Sequence, residues 1–292
     1  MVNFYNIPLF KHSNLTTANY QLSIVNCQLS IINCPPSISR YITIILIALL
    51  SGCHTLAQPS KLEKIKTYYK NQDTRNKNAD RRGCLQLYPE DGNESYEIIL
   101  IRHGEPDVNK KGWKGRKQAE QFALAYDTVG VLPFDNKIHC LKGVTTKKVY
   151  HSSLPRSSHT AQLLFGNDFE LIEEARFREF ERKVMKFVNL KMPLMFWLGT
   201  SRILWLMGLN NKDIETFDQA KSRAMENALY LAEEAKKDGQ AILVAHGLHN
   251  RYVMKYLQQN GWQQVRKGGS KYLAVNILAK ERPADDNDGL LK

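Results

Sequence analysis

Two short apolar segments of this 292-residue chain end in a histidine followed by a glycine. Tyr96–Ile101 runs directly into Arg-His-Gly at 102–104, and Ala241–Ala245 runs directly into His-Gly at 246–247. Apolar runs of this length are typical of strands buried in a parallel sheet. In an α/β sheet the ligand site lies outside the carboxyl ends of the strands. The sequence therefore predicts an α/β fold with both histidines at one edge of the sheet, where a ligand binds.

A third strand pattern begins at Val149 and is followed by a turn at Pro155 and a helix through Leu164. Arg156 falls in the first turn of that helix, where a cation is unfavourable against the helix dipole unless an anion is bound there. A solvated surface arginine is the simpler interpretation of Arg156 by itself. Together with the two histidines, however, it indicates an anion site.

Three motifs, taken in order, carry a resemblance to a known family. They are Arg-His-Gly-Glu at 102–105, Ser-Ser-Leu-Pro-Arg-x-x-x-Thr-Ala at 152–161 and Val-Ala-His-Gly at 244–247. From about Tyr96 to Lys280 the chain resembles the histidine phosphatase superfamily, also called the phosphoglycerate-mutase-like family. Gly115–Ala119 is similar to the opening of the family's first helix. The resemblance implies a three-layer α/β/α sandwich with a mostly parallel central sheet.

The resemblance also implies the chemistry of the site: a phosphoryl group passes to a histidine and then to water or another acceptor. His103 is the expected nucleophile, since the reference pKa of about 6.5 leaves neutral imidazole available near pH 7. Arg102 and Arg156 are expected to bind the non-bridging oxygens, because a planar guanidinium matches phosphate bidentately. Asn109 matches an asparagine of the family's phosphate pocket, and His246 would be a second donor as charge develops. No metal and no other cofactor is expected.

The leaving alkoxide needs a proton, so a carboxylic acid must face His103 across the phosphate. Residues 173–181 offer four carboxylates. The family's acid lies in a Leu-x-Glu-like step, and the Phe-Arg-Glu that ends at Glu179 fits it best, with Glu181 and Glu174 as alternatives. The family commonly has a glycine four residues further on, where this chain has Lys183. That departure leaves the identity of the acid open.

The expected function is hydrolysis of a phosphomonoester through a phosphohistidine intermediate, without a metal. Two alternatives stay open from the sequence: a phosphoglycerate-mutase-like phosphotransferase, and a lipoprotein that binds a phosphorylated ligand without turnover. The expected partner is a small phosphorylated substrate. The formal net charge of +12 suits an anionic substrate or an anionic membrane, and no nucleic acid is expected because no reader motif accompanies the charge.

The N-terminal segment of the sequence predicts that the protein is exported from the cytoplasm. Tyr41–Leu50 is apolar but too short to span a bilayer as a helix, and it runs into Leu-Ser-Gly-Cys ending at Cys53. This pattern resembles the lipobox of bacterial lipoproteins, in which Cys53 would carry the lipid. A plain secretory signal and a buried strand are the alternatives. The sequence thus predicts a leader over 1–53, with a lipoprotein-type signal over 38–53 and an extension upstream of the true start over 1–37. The protein is then expected to be lipid-anchored to a bacterial membrane, facing the periplasm or the cell surface.

The remaining segments complete the predicted organisation. Residues 54–94 are polar and charged and predict a tether. The phosphatase domain is expected over 95–282, with an apolar, basic helical insertion over 182–212 that would be either a lid or a helical pair packed as ordinary core. In an exported protein Cys84 and Cys140 could pair, which the sequence does not decide.

Overall fold

The computed structural model describes residues 59–78, 85–88, 95–135, 141–186 and 190–283. All described residues lie in the unit Pro59–Lys292. The predicted leader with Cys53, and both Cys84 and Cys140, lie outside the described residues. Among the helices that are described, none has both the length and the apolar character needed to cross a membrane.

The domain alternates helices with strands. The described helices are α1 (Lys61–Asn78), α2 (Arg116–Thr128), α3 (Pro155–Phe165), a 3₁₀ turn (Ala175–Phe177), α4 (Leu194–Leu206), α5 (Phe217–Asp238) and α6 (Gly247–Gln259). The described strands are β1 (Leu85–Gln86), β2 (Ser95–Arg102), β3 (Trp113–Lys114), β4 (Leu141–Lys142), β5 (Lys148–Ser152), β6 (Glu170–Glu174), β7 (Met192–Pro193), β8 (Gln240–Ala245), β9 (Gln263–Arg266) and β10 (Val275–Glu281).

Six of these strands form the central sheet in the order β6-β5-β8-β2-β10-β9. β6, β5, β8 and β2 pair in parallel, whereas β10 runs antiparallel to both of its neighbours. The sheet is therefore mixed and mostly parallel, as the sequence predicts. The last strand, β10, covers Val275–Glu281 and lies between β2 and β9.

Alternate residues of β2 face opposite layers, because successive side chains of a strand point to opposite sides of the sheet. Ile98 and Leu100 belong to the apolar cluster that contains the buried faces of α5 and α6. Ile99 and Ile101 belong to the cluster that contains α1 and α3. All four side chains are fully buried. The sheet is thus covered on both faces, which confirms the three-layer α/β/α sandwich.

Helix α1 lies inside the segment 54–94 for which the sequence predicts a tether. Its Leu62, Ile65 and Tyr69 are buried in the same cluster as β10 and α3. Their spacing of three and four residues places them on one face of the helix. The tether prediction is therefore wrong for this stretch, which packs on the sheet as part of the domain.

The predicted insertion over 182–212 contains one described helix, α4, rather than a helical pair. Leu194, Trp197 and Leu198 of α4 pack against Phe122 of α2 in a third apolar cluster. Short strands β3 and β7 pair beside it, with Trp113 opposite Pro193. Within the described residues, the buried members of the three clusters come from residues 62–279. Because Pro59–Lys292 forms one compact unit with these clusters, a fragment that begins at Pro59 is expected to fold as a domain.

Candidate active site

The two predicted histidines meet at the carboxyl edge of the sheet. β2 and β8 are parallel neighbours with Arg102 paired to Ala245, so the residues that follow them lie side by side. The His103 N–H donates to the Ala245 carbonyl at 2.9 Å. The ring centroids of His103 and His246 are 5.1 Å apart. The parallel register therefore brings the two His-Gly segments together, as the sequence predicts.

The loop after β2 is held against α3. The Gly104 N–H donates to the Thr160 hydroxyl at 2.9 Å, and that hydroxyl donates to the Arg156 carbonyl at 2.6 Å. A Cβ at Gly104 would lie 3.2 Å from the ring of Phe134 and 3.3 Å from Val131. Two sequence motifs, the Arg-His-Gly and the Arg-x-x-x-Thr, are thus physically linked. This link positions His103 relative to the first turn of α3.

The His103 ring is oriented by its own neighbour. Its Nδ1 lies 2.7 Å from the carbonyl oxygen of Gly104. A carbonyl oxygen only accepts, so Nδ1 carries the proton in this contact and Nε2 keeps its lone pair. Burial, followed by the positive charge of Arg156, lowers the pKa of His103 to about 3. The imidazole is therefore neutral at physiological pH and presents an unprotonated Nε2.

His103 lines a cavity of about 450 Å³. The residues that line it include five arginines and four carboxylates: Arg102, Arg156, Arg178, Arg182, Arg202, Asp127, Glu179, Glu181 and Asp213. Arg102 precedes His103 in the chain and Arg156 begins the helix that holds its loop, and, besides burial, the positive charges of both lower the pKa of His103. The inner end of the cavity is therefore suited to an anion.

Arg156 is held in place and keeps donors free. The side chain is only 1% exposed, and its Nη1 donates to the Tyr126 carbonyl and to Asp127, at 2.8 and 2.9 Å. Its guanidinium also stacks over the Tyr126 ring at 4.7 Å. Its buried Nε has no hydrogen-bond partner within the described part of the chain. A buried donor of this kind is suited to a phosphoryl oxygen.

Arg102 is fixed in a similar way. Its Nη1 donates to the Ser270 carbonyl, and its guanidinium carbon lies 4.4 Å above the Tyr272 ring. The buried Nε of Arg102 also has no partner among the described residues. The Tyr272 ring lies 5.6 Å from the His103 ring, so one tyrosine contacts both members of the Arg-His pair.

His246 lies behind the cavity wall. It is fully buried, and its Nε2 lies 2.8 Å from the Ser152 hydroxyl, which in turn accepts the Leu154 N–H at 3.2 Å. Burial, followed by the charge on His103, lowers the pKa of His246 well below its usual value. Its buried Nδ1 has no partner in the described ranges. The structure thus places His246 against His103, and its contact with the phosphoryl group stays a prediction.

The candidate acids occupy different places. Glu179 lines the cavity, and its carboxylate accepts the N–H groups of Phe180, Leu248 and His249, the last two in the first turn of α6. Free N–H groups at a helix start favour such a partner. Glu181 also lines the cavity, but its carboxylate accepts from Arg178 and from the Glu215 N–H.

Glu174 forms an ion pair with Arg176 at 3.5 Å and is not among the residues that line the cavity. Asn109 is exposed, and its Oδ1 accepts the Lys111 N–H at 2.9 Å in a local turn. Asn109 is likewise not part of the cavity lining. Its assignment to the phosphate pocket therefore stays a prediction that these contacts do not support.

The sequence missed several residues of the cavity wall. Tyr126 and Arg182 line it, and Arg182 lies 5.4 Å above the Tyr126 ring. Arg202 of α4 also lines the cavity and donates to the carbonyls of Phe180 and Glu181. Burial lowers the pKa of Arg202 to about 10, so it still carries its charge at neutral pH. Tyr126 and Arg182 could not be predicted, because no sequence motif around them indicates that they line a cavity.

Within the described residues no group of three or more His, Cys, Asp or Glu is arranged to hold a metal ion. The ring nitrogens of His103 and His246 contact the Gly104 carbonyl and the Ser152 hydroxyl instead. The arrangement therefore offers a neutral imidazole nucleophile, two arginines with free buried donors and a carboxylate on the cavity wall. These groups can bind a phosphate ester and attack its phosphorus.

Acid is expected to destabilise the domain because three buried imidazoles must stay neutral. Burial lowers the pKa of His103 and His249 to about 3, and also lowers that of His246. The unfolded chain, with an imidazole pKa of about 6.5, binds more protons between these values. The free energy of unfolding is then largest above about pH 6.5 and falls as the pH drops toward 3, by up to about 1.4 kcal/mol per pH unit for each imidazole.

Urea unfolding at pH 7 and at pH 5 measures this slope. His249 does not line the cavity, and its Nε2 accepts from Asn227 at 2.9 Å. His249→Gln is therefore expected to reduce the slope by one imidazole's share. A free energy of unfolding that stays level or rises between pH 7 and pH 5 would contradict this explanation.

Comparison with known proteins identifies the class. Residues 98–284, more than half of the chain, match the sequence model of the histidine phosphatase superfamily (branch 1), so the chain belongs to that superfamily. A 2,3-bisphosphoglycerate-dependent phosphoglycerate mutase from Thermoplasma acidophilum is 25% identical over 202 residues, which cover 63% of this chain and 86% of the relative.

Two solved structures are similar at lower identity. A phosphoglycerate mutase from Bacillus anthracis is 14% identical, with a TM-score of 0.43, and the match covers 69% of this chain and 91% of that one. A mycobacterial glucosyl-3-phosphoglycerate phosphatase is 17% identical, with a TM-score of 0.38, and the match covers 63% of this chain and 90% of that one. The similar proteins thus include both a mutase and a phosphatase.

Proposed function

We propose that this protein hydrolyses a small phosphomonoester through a phosphohistidine at His103, without a metal. The observation that carries this proposal is the orientation of the His103 ring. Nδ1–H donates to the Gly104 carbonyl, so the unprotonated Nε2 is the ring atom that can attack phosphorus. Arg102 and Arg156, whose charges act on His103, each have a buried Nε without a partner among the described residues, which suits a phosphoryl group as it gains charge.

The proposed reaction has two steps. In the first, the Nε2 lone pair of His103 forms a bond to phosphorus while the phosphorus–oxygen ester bond breaks, and the leaving oxygen takes a proton from Glu179. In the second, water attacks the phosphohistidine, the nitrogen–phosphorus bond breaks, and the carboxylate of Glu179 takes a proton from that water. Inorganic phosphate and an alcohol are released, and both residues return to their starting states.

Glu179→Gln is expected to lower kcat by about 10²–10⁴, because the amide neither donates the proton nor accepts it from water. The amide oxygen still accepts from the N–H groups of Phe180 and His249 in the same geometry, so the fold should be kept. Glu181→Gln is the matched control and should stay within about tenfold of the wild type. Equal losses in the two variants would remove Glu179 from the role of acid.

Para-nitrophenyl phosphate tests the proposed function. The fragment 59–292 is assayed with EDTA present and without added metal. Turnover that EDTA does not reduce supports a metal-independent phosphohydrolase. Turnover that EDTA removes and a divalent metal restores would contradict the metal-free chemistry. Phosphoryl transfer only when a bisphosphorylated primer is supplied would instead support the mutase-like alternative.

We also propose that the protein is lipid-anchored to a bacterial membrane through Cys53, on the support of the Leu-Ser-Gly-Cys pattern after an apolar segment. Expression in a bacterial host of residues 38–292, behind an initiator methionine and with a labelled fatty acid, tests this. Label that is carried by the wild type and lost in Cys53→Ser is the expected result. Unlabelled wild-type protein would contradict the anchor.

A further inference from the structure

The outer side of α4 and the strand beside it expose large apolar side chains. Trp113 is 69% exposed, Met195 67% and Phe196 55%. We define the apolar face as Trp113, Leu190, Met195, Phe196, Ile203, Leu206, Met207 and Leu209, each of which is at least 41% exposed. Isolated exposed apolar residues are ordinary, but a contiguous group of this size on a protein surface marks an interaction site.

The apolar face is contiguous because of how α4 is placed. At about 100° per residue, Met195, Phe196, Ile203 and Leu206 all fall within about 100° of the circumference of α4, which is one side of the helix. The opposite side of α4, with Leu194 and Trp205 among its members, is buried in the protein. Trp113 joins the same surface because β3 pairs with β7, the strand that leads directly into α4.

The chain segments that build this face carry positive charge only. Residues 108–119 contain five Lys or Arg residues, residues 182–212 contain six, and neither segment contains an Asp or Glu. Lys111, Lys186 and Lys191 are exposed around the face. Three other basic residues of these segments, Lys110, Arg116 and Lys183, pair with Glu105, Glu120 and Asp213, which lie just outside the two ranges. Among the described residues, no carboxylate forms an ion pair with Lys111, Lys186 or Lys191, so these three supply the positive charge at the face. The apolar face and its lysines are therefore complementary to a partner with an apolar interior and an anionic surface layer.

We infer that the apolar face docks the domain onto a lipid bilayer with anionic headgroups. The apolar side chains of α4 enter the boundary between headgroups and acyl chains, and the surrounding lysines contact the anionic headgroups. Trp113 suits the interfacial level, where the indole is favoured. A second copy of this chain is disfavoured as the partner of the apolar face. A symmetric contact between two such faces would bring the lysines of one copy close to the lysines of the other, and like charges repel.

The docking surface and the catalytic cavity share one helix. α4 presents Arg202 to the cavity and Ile203 and Leu206 to the outside. Docking therefore places a wall of the cavity next to the membrane. This contact is a property of the domain itself and does not depend on a lipid at Cys53, which is why the test uses a fragment without the leader.

Vesicle flotation of the fragment 59–292 tests the inference. Vesicles of phosphatidylcholine alone are compared with vesicles that also contain phosphatidylglycerol. The fragment is expected to float with the anionic vesicles, and the Phe196→Glu/Ile203→Glu double variant to bind at least about tenfold more weakly. The control is Met225→Glu/Leu229→Glu, a pair of exposed apolar residues on α5, which should bind as the wild type does.

The charge requirement is tested by Lys186→Glu/Lys191→Glu and by raising the salt to about 0.5 M, both of which should weaken binding to the anionic vesicles. Circular dichroism and para-nitrophenyl phosphate turnover without vesicles verify that each variant is folded. Failure of the wild-type fragment to float, or equal flotation of the Phe196→Glu/Ile203→Glu variant, would overturn the inference. A dimer in solution that the same substitutions dissociate, without vesicle binding, would assign the face to self-association instead.

Discussion

Replacing His103 with alanine is expected to lower kcat for phosphate-ester hydrolysis by at least about 10⁴, since removal of a nucleophile abolishes the covalent route. Nε2 is the atom that attacks, and no other cavity-lining residue supplies an imidazole. The wild type and variant are compared as fragments 59–292 under saturating para-nitrophenyl phosphate. The buried ring leaves a cavity when it is removed, so circular dichroism must show that the variant is folded.

The matched control for His103 is His159→Asn, a histidine of α3 that is exposed and does not line the cavity. Its turnover should remain within about threefold of the wild type, the size expected for a surface substitution. If His103→Ala retained turnover within about tenfold of the wild type while folded, His103 could not be the nucleophile.

Replacing Arg156 with lysine is expected to lower kcat/KM by about 10²–10³, the loss that follows removal of one transition-state donor. Lysine keeps the positive charge but not the planar fork, which contacts Asp127 through Nη1 and leaves the separate Nε donor for the phosphoryl group. Steady-state kinetics measure the loss, and urea unfolding measures any change in stability.

The control for Arg156 is Arg178→Lys, at an exposed arginine of the same cavity, for which a change of less than about tenfold is expected. A lower free energy of unfolding with unchanged kcat/KM would show that Arg156 is structural. The affinity for inorganic phosphate distinguishes these two roles of Arg156 further. Loss of an arginine that donates to phosphate weakens phosphate binding, whereas loss of a purely structural contact does not.

The positions of the two site histidines could be predicted from the sequence, because each follows directly on an apolar strand. An apolar run followed by a histidine fixes where the side chain leaves the sheet, so the approach of His103 to His246 follows from parallel pairing alone. The ring orientation of His103 could not be predicted, because it depends on a contact to the Gly104 carbonyl that no residue pattern encodes. The choice between Glu179 and Glu181 was also open, since the hydrogen bonds that separate them come from α6 and from Glu215.

Failures of the sequence analysis have a common physical origin. The tether prediction relied on the charge of residues 54–94 and gave too little weight to three apolar residues, Leu62, Ile65 and Tyr69, that form the buried stripe of α1. Tyr272 was missed because its contacts to Arg102 and His103 join residues about 170 positions apart in the chain. The burial of α1 and the contacts of Tyr272 both depend on which distant segments the fold brings into contact, and local composition does not specify these segments.

The most direct test of the account is to trap the phosphoryl-enzyme. The Glu179→Gln fragment is mixed with para-nitrophenyl phosphate, whose leaving group needs little protonation, and is quenched in base, where phosphohistidine survives. Mass spectrometry of the digested protein then locates the phosphoryl group. A phosphohistidine mechanism predicts one phosphoryl group on the peptide that contains His103, at a higher level than in the wild type, and none in the His103→Ala fragment. A phosphoryl group on any other residue, or turnover that proceeds with His103 never modified, would contradict it.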